Sequence, residues 1–193
     1  MQPDYEHLKR PPYSSTSRNE SFSAAFKGSC FCQKVQFEIS KDRPLDAKFC
    51  HYSTCQQLHG APFQWAAIFE KTDVRFTKGT DLLIYWNAGE ATREYILPCK
   101  VSCDVCRTPI MDEGRNMLML FPTLIQFQSS EERRNFYPSC HIFYSARVMD
   151  IQDGLPKFET HKGGRQIPEV RESEDRIGKV ASLVEPRCVQ HSD

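Results

Sequence analysis

The stretch GSCFC at residues 28–32 and the stretch SCDVC at residues 102–106 carry two closely spaced cysteine pairs. A C-x-C pair and a distant C-x-x-C pair supply four thiolates, which complete the tetrahedral shell that structural zinc prefers. Because such a shell has no open position, it contributes to folding and not to catalysis. Ordinary buried cysteines would not account for both spacings. We therefore predict a structural zinc ion bound by Cys30, Cys32, Cys103 and Cys106.

Length and charge limit the classes of function open to the chain. It has 193 residues, with 25 basic and 25 acidic side chains and a formal net charge of zero. This balance favours one domain and gives no electrostatic footprint for nucleic acid. The sequence shows no apolar run of membrane-spanning length and no apolar core of a secretory signal peptide. We predict a soluble cytoplasmic protein, in which nine cysteines indicate metal binding or reactivity rather than disulfides.

Short alternating or apolar stretches between Gly and Pro turns predict a mainly β fold. Strands are expected at 34–40, 47–50, 63–69, 74–76, 82–86, 93–97, 117–121 and 141–148. One helical turn is expected at 55–60, where Gly60 ends it. We predict a single zinc-stabilised domain of short antiparallel strands at 25–150. A flexible leader at 1–24 and a partly disordered C-terminal extension at 151–193 complete the predicted organisation.

A second and less regular cluster lies between the two cysteine pairs. It consists of Cys50, His51 and Cys55, and we expect the chemistry of the protein here. Without a metal, Cys50 or Cys55 would remain as a nucleophile beside His51 or His59.

Several motifs, taken in order, resemble a known family. GSCFCQKVQFEI, CHYSTCQQLHGAPFQWAAIF, Gly79 with Leu83 and Tyr85, and SCDVCRTPI resemble the glutathione-dependent formaldehyde-activating enzyme family, also called the centromere-protein-V domain family. The resemblance runs from Phe26 to Phe127. The stretches FPTLIQF and HIFYSARVMDIQDGLPKF resemble the fungal branch of that family. The resemblance implies a β-tent fold, similar to that of small zinc-binding exchange-factor-like proteins.

The resemblance also implies two zinc sites. The structural site falls on the four cysteines named above, and the catalytic site uses C-x-C-x-x-C. That motif falls on Cys50 and Cys55, but Tyr52 stands where the family has its middle cysteine. Three thiolates would hold zinc with an open position, at which the sulfur of glutathione meets formaldehyde. Since a neutral phenol is a poor zinc ligand, the sequence does not decide whether a second zinc ion binds.

The sequence offers replacements for the missing ligand and candidates for proton transfer. Cys99 could approach the Cys50 loop, although a small buried side chain is the plainer interpretation. His51 is adjacent, but strand alternation turns it away from Cys50. Tyr52 could donate a proton to a leaving group. His59, in a stretch that lines the pocket in the family, could act as acid or base. The polar run Asp112-Glu113-Gly114-Arg115-Asn116 is a solvated loop or a source of proton donors and a carboxylate-binding arginine.

Two functions follow from these observations. The first is a zinc-dependent carbon–sulfur lyase with Cys50, Tyr52, Cys55 and His59 in its catalytic site and a possible second zinc on Cys50, Cys55 and Cys99. Its substrate would be a small electrophile or thiol adduct, of the glutathione and formaldehyde type or an intermediate of secondary metabolism. The second is a non-catalytic, zinc-stabilised binding module whose second metal site has decayed. Neither substrate nor oligomeric state follows from the sequence, and no nucleic-acid or membrane partner is predicted.

Overall fold

A computed structural model describes residues 22–169 of the chain. Most of the predicted leader, the end of the C-terminal extension and Cys188 therefore lie outside the described residues. The described part is mainly β, as predicted, with two sheets built from short strands. Across residues 22–169 we find no helix with both the length and the apolar character needed to cross a membrane.

The smaller sheet has three antiparallel strands in the order β1-β2-β5. Its strands are β1 (Phe26–Ser29), β2 (Gln36–Ile39) and β5 (Val74–Lys78). The alternation expected at 34–40 is confirmed, because Phe37 and Ile39 are fully buried while their neighbours are partly exposed. The tight turn after β5 requires Gly79, whose φ is +74° and whose added Cβ would lie 2.2 Å from the Lys34 carbonyl oxygen.

The larger sheet has seven strands in the order β10-β3-β4-β9-β8-β7-β6, and only the β10–β3 pair is parallel among the described strands. Its strands are β3 (Asp46–Cys50), β4 (Gln64–Glu70), β6 (Leu83–Trp86), β7 (Cys99–Cys103), β8 (Pro109–Glu113), β9 (Met117–Leu120) and β10 (His141–Ile142). Two helices, α1 (Ser53–His59) and α2 (Ser130–Arg134), lie in the connections. Helix α1 ends at Gly60 in a left-handed conformation, which confirms the expected stop.

The hydrophobic core holds the two sheets together. Large side chains from both sheets and from the segment after β9 are fully buried, among them Phe37, Phe69, Ile110, Leu118 and Phe136. The cysteines of β7 at positions 99 and 103 belong to the same cluster. The core therefore fixes the inward face of β7 and leaves the other face of that strand for the site described below.

The strand expected at 93–97 is wrong, because β7 begins only at Cys99 and residues 93–97 form an irregular loop. The Asn87 amide donates hydrogen bonds of 2.9 Å to the Ile96 carbonyl and 3.1 Å to the Pro98 carbonyl. These bonds occupy carbonyl groups that a strand ladder would need, and Pro98 has no N–H to donate. The aromatic and apolar composition of 93–97 reflects packing of Tyr95 and Leu97 on the core.

The strand expected at 141–148 is too long. Only His141–Ile142 pairs with β3, and Phe143 then adopts a left-handed conformation with φ of +55°. A 3-10 turn follows at Tyr144–Ala146. The described part of the C-terminal extension folds back on β10, since His141 bridges Lys157 and Phe158 bridges Gln166.

Candidate functional site

The zinc knuckles are the two turns that carry Cys30 with Cys32 and Cys103 with Cys106. Their four Sγ atoms all lie within 4.8 Å of one another. The Sγ atoms of Cys30 and Cys32 are 3.5 Å apart, and those of Cys32 and Cys103 are 3.9 Å apart. Since a zinc–sulfur bond of about 2.3 Å places tetrahedral sulfurs about 3.8 Å apart, the cluster fits zinc.

Hydrogen bonds hold the knuckles in shape. The Val35 amide donates to Cys30 Sγ at 3.3 Å, and Thr108 Oγ1 lies 3.1 Å from Cys106 Sγ. Such outer contacts orient thiolate ligands around a metal. A zinc ion here would supply folding free energy, and its four cysteine ligands would leave no position for substrate.

The second cysteine pair lies at the junction of β3 and α1. Cys50 ends β3, and Cys55 is the buried residue of the first turn of α1. The proximity of the two thiols raises the pKa of Cys50 and lowers that of Cys55 to about 7. Burial opposes the shift at Cys55, and the positive charge of Lys100 supports it.

Lys100 brings a buried positive charge to this pair. It lies on β7, and its Nζ is 3.5 Å from Cys55 Sγ and donates a short hydrogen bond to Asp112 Oδ2. Burial favours the neutral amine, but the charges of Asp112 and Cys55 outweigh burial and raise the pKa of Lys100. Lys100 therefore stays an ammonium ion in contact with a thiol of lowered pKa.

Asp112 and His59 face each other beside this ammonium group. Asp112 Oδ2 also accepts a hydrogen bond of 3.1 Å from Gln64 Nε2. Asp112 Oδ1 and His59 Nε2 are both buried, have no hydrogen-bond partner among the described residues and lie 3.9 Å apart. Burial lowers the pKa of His59, although Asp112 partly opposes this shift. The arrangement presents a neutral imidazole and a carboxylate oxygen, both open to a polar group placed between them.

These side chains line a cavity of about 100 Å³. Its polar wall is formed by His59, Lys100, Ser102 and Asp112, and its apolar wall by Leu58, Trp86, Val101, Pro109 and Met111. Its lining, apolar with a few convergent polar groups, is that of a small-molecule site, and its volume is below the roughly 300 Å³ at which such sites usually begin.

The structure separates several of the predicted site residues. Cys99 is the neighbour of Lys100 on β7 and therefore points to the opposite face, where burial and the charge of Glu113 raise its pKa to about 12. Glu113 is held there by Lys71 Nζ at 2.7 Å and by the hydroxyl of Tyr95 at 2.5 Å. Tyr52 is 45% exposed and packs its ring on Phe143.

The residues around Cys50 and Cys55 do not fit a second zinc ion. Within residues 22–169 the knuckles form the one group of three or more Cys, His, Asp or Glu side chains with ligating atoms close enough for a metal. Two thiols alone would bind zinc weakly, and an ammonium group touches one of them. The chemistry of the cavity is therefore derived from Lys100, His59 and Asp112.

A buried histidine pair lies behind Cys50. His51 Nε2 and His141 Nδ1 are 2.8 Å apart, and His141 Nε2 is 2.8 Å from Asp153 Oδ2. Both imidazoles are fully buried, so His51 points away from Cys50 as alternation predicts. This chain ties the C-terminal extension to the end of β3.

Sequence reasoning missed Lys100, Gln64 and the pairing of His141 with Asp153. The alternation in Cys99-Lys100-Val101-Ser102-Cys103 is the pattern that indicates two faces for β7, with Lys100 and Ser102 on the side of the cavity. The polar run at 112–116 is divided as well. Asp112 and Glu113 are buried residues of β8, whereas Arg115 is exposed.

Comparison with known proteins identifies the family. A model of the family described as glutathione-dependent formaldehyde-activating enzyme matches residues 25–146. No curated protein matches the sequence. A crystal structure of a Rhodobacter sphaeroides protein is similar at 19% sequence identity with a TM-score of 0.43, over 55% of this chain and 94% of that one. Since the family match covers more than half of the sequence, the chain belongs to the glutathione-dependent formaldehyde-activating enzyme family.

Proposed function

We propose that the protein is a lyase that cleaves and forms the carbon–sulfur bond between a thiol and a small aldehyde. The family supplies the reaction type, a thiol acting on formaldehyde. The observation that supports it in this chain is the open pair of His59 Nε2 and Asp112 Oδ1, 3.9 Å apart beside the Lys100 ammonium group.

The adduct of a thiol and an aldehyde carries a hydroxyl group and a sulfur atom on the same carbon. We place the hydroxyl beside His59 Nε2, to which it donates its single proton, while Asp112 Oδ1, 3.9 Å from that nitrogen, stabilises the imidazolium that forms. In cleavage, the hydroxyl proton passes to the neutral imidazole and the C–S bond breaks, with its electron pair going to sulfur. The products are an aldehyde and a thiolate, and the reverse steps form the adduct without any net oxidation or reduction.

Lys100 stabilises the charge that appears on sulfur. Its ammonium group is already 3.5 Å from one sulfur atom, Cys55 Sγ, and lines the cavity from a side chain that is 18% exposed. A preorganised positive charge in such an environment contributes about 3 kcal/mol to a transition state that develops negative charge. The contact with Cys55 and Asp112 holds the ammonium group in place, so Cys55 acts by positioning Lys100.

The cavity volume limits the aldehyde. A space of about 100 Å³ accommodates a carbonyl carbon with few further heavy atoms, so formaldehyde or a similarly small aldehyde fits. The remainder of a thiol as large as glutathione would extend outward from the cavity. A zinc ion bound at the knuckles would take no part in these steps, because its four cysteine ligands would leave no open position.

Exchange spectroscopy tests this function. The full chain, loaded with zinc, is added to a mixture of glutathione and ¹³C-formaldehyde, and the rate of adduct formation and breakdown is measured by NMR. We expect acceleration over the uncatalysed exchange, and a loss of about 100-fold in Lys100→Met and in His59→Gln. Lys78→Met, which removes an exposed lysine at the end of β5, should retain the full rate.

An absence of acceleration, or a Lys100→Met variant that equals the unsubstituted protein, would overturn the proposal. The alternative is a binding module without catalysis, which Tyr52 favours because it removes a thiol from the second cluster. In that case, titration with the preformed adduct would show binding at the cavity, measured as chemical-shift changes, without any change in exchange rate.

A further inference from the structure

The group formed by His59, Asp112 and Lys100 has a proton donor that the proposed carbon–sulfur cleavage does not use. Asp112 Oδ2 accepts a hydrogen bond from Lys100 Nζ, and Asp112 Oδ1 lies 3.9 Å from His59 Nε2. One carboxylate therefore lies between an ammonium group, which carries protons, and an imidazole that accepts one. In carbon–sulfur cleavage the sulfur leaves as a thiolate and takes up no proton, so Lys100 contributes its charge and keeps its protons.

Neighbouring contacts hold these three side chains in place. Gln64 Nε2 donates a hydrogen bond of 3.1 Å to Asp112 Oδ2, and the His59 ring packs edge-on against Phe121 with centroids 5.0 Å apart. The side chains of His59, Asp112 and Lys100 are 12%, 9% and 18% exposed. Groups that are fixed in a partly dry site act on reacting charges more strongly than the same groups in water.

The cavity beside these groups has room for a nucleophile smaller than a thiol. Its volume is about 100 Å³, and a water molecule takes up about 30 Å³ in the liquid. A small carbonyl compound and one water molecule therefore fit inside together, whereas a thiol as large as glutathione extends outward. Water adds to a carbonyl group as a thiol does, and the product is a geminal diol in place of the thiol adduct.

Water and a thiol differ in what they need in order to leave the carbon atom. A thiol has a pKa of about 8.5 and leaves as a thiolate, whereas water has a pKa of about 15.7 and so must take up a proton to leave. Loss of water from a diol therefore requires an acid at the leaving oxygen as well as a base at the other hydroxyl. Lys100 and His59 both line the cavity and offer this combination on the two sides of Asp112.

We propose that the cavity also catalyses the reversible hydration of small aldehydes without a thiol, with His59 as the base and Lys100 as the acid. In dehydration, His59 Nε2 takes the proton of one hydroxyl of the diol, and the carbonyl double bond forms. The other C–O bond breaks with its electron pair on oxygen, which takes a proton from the Lys100 ammonium group and leaves as water. The proton on His59 returns to Lys100 by way of the product water and Asp112. The diol has then given one aldehyde and one water, and the protein is unchanged.

This activity rests on the same side chains as the proposed lyase reaction and extends that reaction to the form that formaldehyde takes in water. Formaldehyde in water is mostly the geminal diol, whereas a thiol adds to the free carbonyl compound. A site that removes water from the diol therefore produces the aldehyde where the thiol attacks. The inferred class of substrate is a hydrated aldehyde with few heavy atoms, as the cavity volume requires.

Exchange NMR in the absence of any thiol tests the hydration directly. The full chain, loaded with zinc, is added to acetaldehyde, whose carbonyl and diol forms are both abundant in water and give separate methyl signals. We expect magnetisation to pass between the two signals faster than in buffer alone. The bulky aldehyde 2,2-dimethylpropanal also forms a diol, but it overfills the cavity, so its hydration should be accelerated at most about a tenth as much.

Two substitutions separate the roles of charge and proton. Lys100→Arg keeps a positive charge, but a guanidinium group does not give up its proton, so hydration should fall about 100-fold while adduct exchange with glutathione falls less than about tenfold. His59→Gln should lower both rates about 100-fold, because it removes the base. Lys78→Met, at an exposed lysine, should retain both rates. Zinc content and circular dichroism show whether each variant is folded.

Three results would overturn the proposal. The first is acetaldehyde hydration at the buffer rate in the unsubstituted protein, and the second is equal acceleration for both aldehydes. The third is a folded Lys100→Arg protein that loses both reactions by the same factor. The first two use the unsubstituted chain, so they do not depend on the folding of any variant. Adduct exchange is assayed separately with glutathione and ¹³C-formaldehyde, so failure of hydration and failure of the proposed lyase reaction are distinguishable.

Discussion

The zinc knuckles and the Cys50–Cys55 pair are both built from cysteines, but the surroundings of the cysteines differ. In the knuckles four sulfur atoms converge within 4.8 Å, and the fit is to a zinc ion. At the second pair there are only two thiols, and Lys100 Nζ lies 3.5 Å from Cys55 Sγ, so the adjacent cation is an ammonium group. The first arrangement would close a shell around a metal ion, whereas the second leaves charge and hydrogen-bonding capacity open to a cavity. The two arrangements therefore differ both in the number of thiols and in the cation that faces them.

The largest effect is expected from breaking the knuckles. Cys103→Ser removes a fully buried member of the four-cysteine cluster that fits zinc, and structural zinc supplies about 10 kcal/mol or more to small domains. We expect loss of zinc and of a cooperative thermal transition, measured by metal analysis and circular dichroism. Cys140→Ser should cost only about 1 kcal/mol and retain zinc. A Cys103→Ser protein that keeps its zinc and its melting temperature would contradict the structural assignment.

The second pair does not fit a metal ion, and a buried histidine chain, His51 with His141, lies behind Cys50. Burial, followed by the positive charges of His141 and Arg147, lowers the pKa of His51 to about 4. The groups that face His51 are His141, Arg147, Asp153 and Lys157. Because the ordinary histidine pKa is about 6.5, this stabilisation is complete above pH of about 6.5 and is lost as the pH falls towards about 4.

We therefore expect the free energy of unfolding to decrease by about 2 kcal/mol between pH of about 6.5 and about 5, measured by urea denaturation. His51→Gln should flatten this dependence, because it removes the group that gains the proton on unfolding. His161→Gln, at an exposed histidine, is the matched control and should leave the slope unchanged. An equal slope in the His51→Gln protein would show that other groups determine the pH dependence.

The reactivity of the Cys55 thiol tests whether Lys100 and Cys50 stabilise its thiolate. Its pKa of about 7 results first from the hydrogen bond of Cys50 and then from the charge of Lys100, against the effect of burial. At pH of about 7 we expect the alkylation rate of Cys55 to fall about 30-fold in Cys50→Ala and about 10-fold in Lys100→Met. The folded protein is alkylated with iodoacetamide, and the rate is followed by the modification of its tryptic peptide 49–71. Lys78→Met should not change it, and rates equal to the control in both variants would remove the basis for a stabilised thiolate.

The sequence predicted the knuckles and most strands because their patterns are local. A C-x-C pair, a C-x-x-C pair and the alternation at 34–40 each specify geometry within a few residues. The strand expected at 93–97 fails for a non-local reason, since the Asn87 side chain occupies the Ile96 and Pro98 carbonyl groups. A side-chain contact of that kind has no periodicity in the sequence.

The cavity residues were also missed because non-local contacts bring them together. Lys100 is one lysine among many in the sequence, and its importance arises from β7 being placed beside α1 and β8, which brings its Nζ to Cys55 and Asp112. Cys99 was the more conspicuous residue, but strand alternation sends it to the core. Strand alternation therefore selects the lysine for the cavity and the cysteine for the core.

The smallest effect is expected at Tyr52, which stands where the resemblance places the middle cysteine of the second motif. Its ring is 45% exposed and packs on Phe143, with centroids 5.0 Å apart, and Tyr52 lies outside the set of described residues that line the cavity. We expect Tyr52→Phe to change the rate of adduct exchange by less than about twofold, because the ring contact with Phe143 is retained and the proposed proton transfer uses His59. A loss near that of His59→Gln, measured in the same NMR assay, would instead make the Tyr52 hydroxyl the proton donor. Tyr52 would then belong to the catalytic site together with Lys100 and His59.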